Sequence, residues 1–227
     1  MGGRYPELRQ QVYAAAMALF REGLVRQSSG NVSVRGAEGV IGITPASLSY
    51  DHLRPEAIVI LDAQGRVLEG SLPPSSETPM HLAILEALPS IGGVVHTHSI
   101  FAMAVAATAQ ELPAVCLELV AIGAPVPVTD YVCPGTAKAG VVAAGALRSR
   151  PALRALLLRS HGGLAIGSTV EEACQNALAL ETGAQVYHRA LETGMRPHVL
   201  TDEQVAEIRE VYGKGHGARE HARPRHA

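Results

Sequence analysis

Two histidines separated by one residue, His96-Thr97-His98, end an apolar run that begins Gly92-Gly93-Val94-Val95. In an extended strand, side chains alternate between faces with a period of two. Val94, His96 and His98 therefore point the same way, and two imidazoles side by side at a strand end can chelate one divalent metal. A third imidazole comes from a second apolar run, Leu156-Leu157-Leu158-Arg159-Ser160-His161. The glycines after it, Gly162 and Gly163, are expected to let the backbone turn. A carboxylate is available in Pro74-Ser75-Ser76-Glu77. Three histidines and one acid form a zinc-type donor set with the acid as the displaceable ligand, and manganese or another divalent ion suits the same donors. An isolated His-x-His on a strand is also an ordinary surface pair. It is the second strand-terminal histidine and the Ser-Ser-Glu turn that favour a metal.

Other segments offer polar groups that turn chemistry alone does not use up. Asn31 follows Gly30 in a polar turn, and Thr44-Pro45-Ala46-Ser47 closes a strand. Ser75 and Ser76 precede a helix, where free N–H groups and the helix dipole favour an anion such as phosphate. A phosphate, a divalent metal and a carboxylate in one site point to a hydroxy-ketone phosphate as substrate. The metal polarises the carbonyl as a Lewis acid. The carboxylate moves a proton. Reversible carbon–carbon cleavage through an enediolate follows.

The elements that must position these groups can be read from periodicity. Leu8, Val12, Ala15, Ala16, Leu19 and Phe20 recur at helical spacing, with Gly23 as the stop. Alternating segments at 31–35 and 40–44 read as a hairpin, and further strands are expected at 58–62 and 66–68. A helix opens near Ser76 or Thr78, either of which can cap it, and carries Met80, Ile84 and Leu88 on one stripe. The strand bearing His96 and His98 follows, then a small-residue helix over 101–109. Residues 115–122 fit helix or strand, 125–128 an edge strand because of its prolines, 137–147 a helix, and 153–160 a buried strand. Capping-box patterns at Thr169-Val170-Glu171-Glu172 and Thr201-Asp202-Glu203-Gln204 open two helices, to about Leu191 and Tyr212. One α/β domain with a mixed sheet over 1–213 and a disordered tail over 214–227 is expected.

Composition narrows the partners. A formal charge of −2 and 4% aromatics give no footing for nucleic acid. No apolar run reaches the ~20 residues that span a bilayer. Cys116, Cys133 and Cys174 form no paired framework, and the first residues lack a leader-like apolar stretch, so a reducing cytoplasm is expected.

Taken together, Ser29-Gly30-Asn31-Val32-Ser33-Val34-Arg35, Ile43-Thr44-Pro45, Pro74-Ser75-Ser76-Glu77, Val94-Val95-His96-Thr97-His98 and His161-Gly162-Gly163-Leu164-Ala165 resemble the class II aldolase/adducin head family over nearly the whole chain, most closely its aldolase branch. The resemblance implies a three-layer α/β/α sandwich with a mixed, largely antiparallel central sheet, and a homotetramer with active sites between subunits. It implies zinc on His96, His98 and His161, with Glu77 both ligand and acid/base. It implies a phosphate cradle of Asn31, Thr44, Ser47, Ser75 and Ser76. Its C-terminal tyrosine, which covers a neighbour's site, has a counterpart in Tyr212. The implied reaction is cleavage of a ketose 1-phosphate to dihydroxyacetone phosphate and an aldehyde.

The chain departs from that pattern in places. Ser47 stands where the aldolases have glycine, Leu117 where they have a proton-donating tyrosine, and Pro134 where an aromatic is expected. The family's epimerases carry aspartate in place of Glu77 and a further aspartate near Pro125, neither of which is present. Its 3-oxo-tetronate-4-phosphate decarboxylases and methylthioribulose-phosphate dehydratases keep the same histidines. A non-catalytic assembly module would show an eroded metal site, whereas all four donors are here.

Overall fold

The computed structural model describes residues 3–217. Helix α1 (Pro6–Arg21) buries Leu8, Val12, Ala15, Ala16 and Leu19 along one stripe and starts with proline, whose missing N–H costs nothing in a first turn. Gly23 ends it at φ +74°, and the amide of Leu24 closes onto the carbonyl of Leu19 at 2.9 Å. Strands β1 (Asn31–Arg35), β2 (Ile41–Ile43), β3 (Val59–Leu61) and β4 (Val67–Glu69) follow, then α2 (Thr78–Ala87), β5 (Gly93–Thr97), α3 (Ile100–Thr108) and β6 (Glu111–Leu112). The chain continues through α4 (Leu117–Ala121), β7 (Val126–Pro127), α5 (Ala137–Ser149), β8 (Ala155–Leu158), β9 (Gly162–Gly167), α6 (Val170–Glu192) and α7 (Asp202–Gly217).

Seven strands form one sheet in the order β4-β3-β2-β1-β5-β9-β8, every neighbouring pair antiparallel. The expected mixed character is confined to one parallel bridge, Val128 to Leu157, beyond the sheet's edge. The period of two decides what each face buries. Val32, Val34, Val95, Leu157 and Ala165 pack one way, with α1, α3, α4 and α6. Ile41, Ile43, Val94, Leu156, Leu158, Leu164 and Ile166 pack the other way, with α2 and α5. Two apolar cores on opposite faces of one sheet make the three-layer α/β/α sandwich.

Residues 115–122, open between helix and strand, contain the short helix α4, which buries Leu119 and Val120. The proline-rich segment 125–128 is an edge strand, but of a separate two-stranded sheet with β6. Helix α6 starts at its expected cap, where Thr169 accepts from the Glu172 amide, while the Glu172 carboxylate reaches back to the Ser168 amide instead of completing a box on Thr169. Helix α7 runs past the expected stop at Tyr212, to Gly217. The tail expected from Lys214 otherwise lies outside the described residues.

The expectation that Gly162 and Gly163 make a turn needs correction. The turn between β8 and β9 is made by Ser160 at φ +53°, and the glycines lie inside β9. Their role is close approach: a Cβ on Gly162 would collide with the Thr97 carbonyl oxygen, and one on Gly163 would stand 2.8 Å from Leu180 Cδ2. Backbone cannot yield as a side-chain tip can. Gly162→Ala is therefore expected to lower stability by about 1–3 kcal/mol or more, read as a lower urea midpoint at unchanged slope. A midpoint within error of the parent would refute the packing role.

Candidate active site

The site is built where β5, the β8–β9 turn and the start of α2 meet. The chain after β2 pairs with the segment before α2: Pro45 bridges Pro74, and the Ser75 amide donates to the Thr44 carbonyl at 3.0 Å. This pins the Ser75-Ser76-Glu77 turn against the sheet. Neither Ser76 nor Thr78 caps α2 as expected. Glu77 itself occupies the N-cap position, the Ser75 hydroxyl accepts from its amide at 3.2 Å, and Thr78 donates to the Ser75 carbonyl at 2.6 Å. A carboxylate at a helix N-terminus is favoured by the partial positive charge there.

Around Glu77 stand the three imidazoles that the sequence singles out. His96 lies near the end of β5 and is fully buried; His98 follows one residue past the strand and keeps its alternation; His161 closes the β8–β9 turn. The His96 and His98 Nε2 atoms are 3.0 Å apart. Glu77 Oε2 is 3.1 Å from His96 Nε2, and Oε1 is 3.4 Å from His161 Nε2. One donor atom from each of the four residues lies within 4.8 Å of all the others.

The protonation state of this cluster favours an ion. His96 Nδ1 donates to the Gly163 carbonyl at 2.9 Å, which leaves the Nε2 lone pair facing the cluster. Burial holds His96 well below the usual imidazole range, with His161 and His98 adding to the effect. Burial and then His161 lower His98 in the same direction. Neutral imidazole is the metal-ligating form. A protonated His96 paired with Glu77 is the other way to read the 3.1 Å contact, and the depressed pKa argues against it. Glu77 Oε1 is buried and accepts no hydrogen bond. A buried carboxylate oxygen without a hydrogen-bond partner is costly, and a positive charge beside it is the natural complement. A divalent cation supplies it, and three nitrogens plus one oxygen fit tetrahedral zinc.

Asn31, Ser47, Ser75, Ser76, Glu77, His98 and His161 all line one cleft of about 390 Å³. His96 lies beneath it. Thr44 is buried behind the cleft wall, its hydroxyl accepting from the Val32 amide at 3.2 Å. Ser47 adopts φ +58°, the left-handed conformation that glycine takes without strain. Tyr212 is elsewhere in the chain: half exposed on α7, it shares a separate groove of about 510 Å³ with Leu117, Glu118 and Ile208.

Two further side chains, His81 and Ser33, belong to the site's surroundings and are not singled out from sequence. Asn31 Nδ2 lies 2.9 Å from Glu77 Oε2, Asn31 Oδ1 lies 2.5 Å from His81 Nε2, and His81 Nδ1 lies 2.7 Å from Ser33 Oγ. His81 is fully buried, and burial pushes its pKa down to about 3. The signal that could have found it is spacing. His81 stands four residues after Glu77, one helical turn on the same face, and Ser33 stands two after Asn31 on one strand face.

Comparison with known proteins agrees with this geometry. The sequence pattern described as Class II Aldolase and Adducin N-terminal domain matches residues 10–188. The chain is 32% identical over 210 residues to the 5-deoxy-D-ribulose 1-phosphate aldolase of Bacillus thuringiensis serovar kurstaki, covering 92% of this chain and 96% of that one. It is 34% identical over 214 residues to the L-fuculose phosphate aldolase of Escherichia coli K12, covering 94% and 97%. Among solved structures, an L-fuculose 1-phosphate aldolase superposes with a TM-score of 0.84 at 30% identity, covering 94% of this chain and 98% of the other.

Proposed function

This chain belongs to the class II aldolase and adducin N-terminal domain family, and we propose that within it the protein is a zinc-dependent aldolase cleaving a ketose 1-phosphate to dihydroxyacetone phosphate and an aldehyde. The observation that carries the reading is the placement of Glu77. Its carboxylate stands among three imidazoles with one oxygen unpartnered, at the head of a helix whose N-terminal serines open onto the same cleft. The substrate phosphate is proposed to sit against Ser75 and Ser76, where the helix end favours an anion, with Asn31 and Ser47 on the cleft wall and Thr44 behind it.

His96, His98, His161 and Glu77 would hold the ion, which when bound supplies Lewis acidity toward the substrate carbonyl. Manganese is the alternative that these donors accept. The proton work falls to the chain. On cleavage, the carbon–carbon bonding pair stays with the carbon next to the carbonyl, and Glu77 delivers a proton there; in condensation it removes that proton. The aldehyde half must lose its hydroxyl proton as the bond breaks. We assign that step to Tyr212 of a neighbouring subunit in a homotetramer. Tyr212 shares its groove with Leu117, the position of the missing tyrosine, so a subunit face that presents one presents both. A cytoplasmic enzyme fits the three free cysteines. Among the described residues no helix is long and apolar enough to cross a membrane.

The test supplies dihydroxyacetone phosphate with a panel of small aldehydes and follows adduct formation. Condensation with lactaldehyde or acetaldehyde is expected, and dihydroxyacetone without phosphate should react far more slowly. No condensation with any aldehyde, together with CO₂ release from a 3-oxo-tetronate 4-phosphate, would replace the aldolase by a decarboxylase.

A further inference from the structure

We propose that Ser33, His81 and Asn31 form a buried relay of hydrogen bonds that positions Glu77, fixing which carboxylate oxygen is tied to the protein and which is left for the ion and the proton. The proposal rests on the reading of Glu77 as ion ligand and acid/base.

The direction of every bond in the relay follows from its end. Asn31 turns its amide N–H toward Glu77, donating from Nδ2 to Oε2 at 2.9 Å. That leaves Asn31 Oδ1 toward His81, so His81 Nε2 carries the proton and donates across 2.5 Å. His81 Nδ1 is then the acceptor, and the Ser33 hydroxyl donates to it across 2.7 Å. A neutral imidazole has one N–H, so no other arrangement satisfies all three contacts. Burial keeps His81 neutral, its pKa pushed down to about 3. Its tautomer is the opposite of that of His96, whose Nδ1 donates to Gly163 and whose Nε2 is the free lone pair.

The two halves of the relay interleave. Asn31 and Ser33 lie on one face of β1; Glu77 and His81 lie one turn apart at the start of α2. The result is asymmetry in the carboxylate: Oε2 is held by Asn31, and Oε1 is buried with no hydrogen-bond partner. Without the His81 donor the Asn31 amide is free to reverse and present its oxygen to Glu77, which would repel it. One N–H of Asn31 remains for a substrate anion, so the positioning role and the cleft role are compatible.

The test combines three readouts on the full-length, metal-loaded protein. First, ¹⁵N–¹H correlation of the histidine rings should show the Nε2–H tautomer for His81; an Nδ1–H tautomer would overturn the relay without any variant. Second, His81→Leu should weaken the divalent ion about 10–100-fold in competition with a chelator and lower kcat by a similar factor, with KM within about threefold. His81→Gln, which restores a donor near the Nε2 position, should recover most of that loss. Third, His81→Leu in an Asn31→Ala background should add almost nothing, because His81 acts only through Asn31. Effects that multiply in the double variant, or unchanged ion affinity in His81→Leu, would show that His81 merely fills the core. Ion affinity and tautomer do not depend on the substrate. A native enzyme that condenses no aldehyde would therefore sink the aldolase reading while leaving these outcomes to decide the relay.

Discussion

Replacing His96 by alanine is expected to abolish stoichiometric metal and lower kcat/KM by about 10³-fold or more. His96 contributes the most buried of the three imidazole nitrogens, and the bond from its Nδ1 to Gly163 aims the Nε2 lone pair at the cluster. Lewis-acid assistance is worth several kcal/mol, and each ~1.4 kcal/mol is a factor of ten in rate. The variant carries a structural cost as well, since it removes the bond to the Gly163 carbonyl and opens a cavity, roughly 1–3 kcal/mol. His98→Ala separates the two effects. His98 is only partly buried, so its loss should remove the ion while leaving the unfolding midpoint close to that of the chelator-treated parent. Metal analysis of both purified variants beside the parent is the measurement. A full equivalent of tightly held ion in either variant would mean that the imidazole cluster is not the metal centre.

How much of this is legible in the sequence depends on whether a residue's role is local. His96 and His98 are readable because strand alternation alone aligns them, and the alternation persists one residue past the end of β5. Glu77 is readable because it follows two serines at a helix start. The same logic fails for Gly162 and Gly163, which look like turn residues. Their reason lies in the Thr97 carbonyl and Leu180, residues far away in sequence, while Ser160 takes the left-handed conformation. Thr44 looks like an open hydroxyl, but the β1–β2 register engages it with the Val32 amide. His81 sits beside Met80 on a helix otherwise read for its apolar stripe. Only the packing of α2 on β1 shows that it meets Asn31 and Ser33. Local patterns mark the groups that do chemistry, and the groups that hold them become visible only across elements.

Glu77→Gln should cost about 10²–10⁴-fold in kcat with KM within a few-fold, because it removes the group that moves the proton but keeps its shape. The carboxamide oxygen of that variant can still accept from Asn31 in the place of Oε2, so the turn before α2 and the cleft should be preserved. The same change has an opposite effect on stability. In the metal-free protein the Glu77 carboxylate is buried, the residue only 6% exposed, with Oε1 unpartnered and with His96 and His98 held neutral by burial beside it. Burying a charge that is met only by one Asn31 N–H and the helix end is expensive, and replacing it by a neutral isostere lowers that cost. Chelator-treated Glu77→Gln should therefore melt at or above the temperature of the chelator-treated parent, and the order should reverse when the ion is restored, since only the parent regains an anionic ligand. Thermal melts with and without ion, paired with steady-state kinetics, test both halves. A kcat within about tenfold of the parent would move the proton transfer to another group. A chelated variant that melts well below the chelated parent would show that Glu77 holds the fold together without the ion, and that its unpartnered oxygen is not kept for a cation.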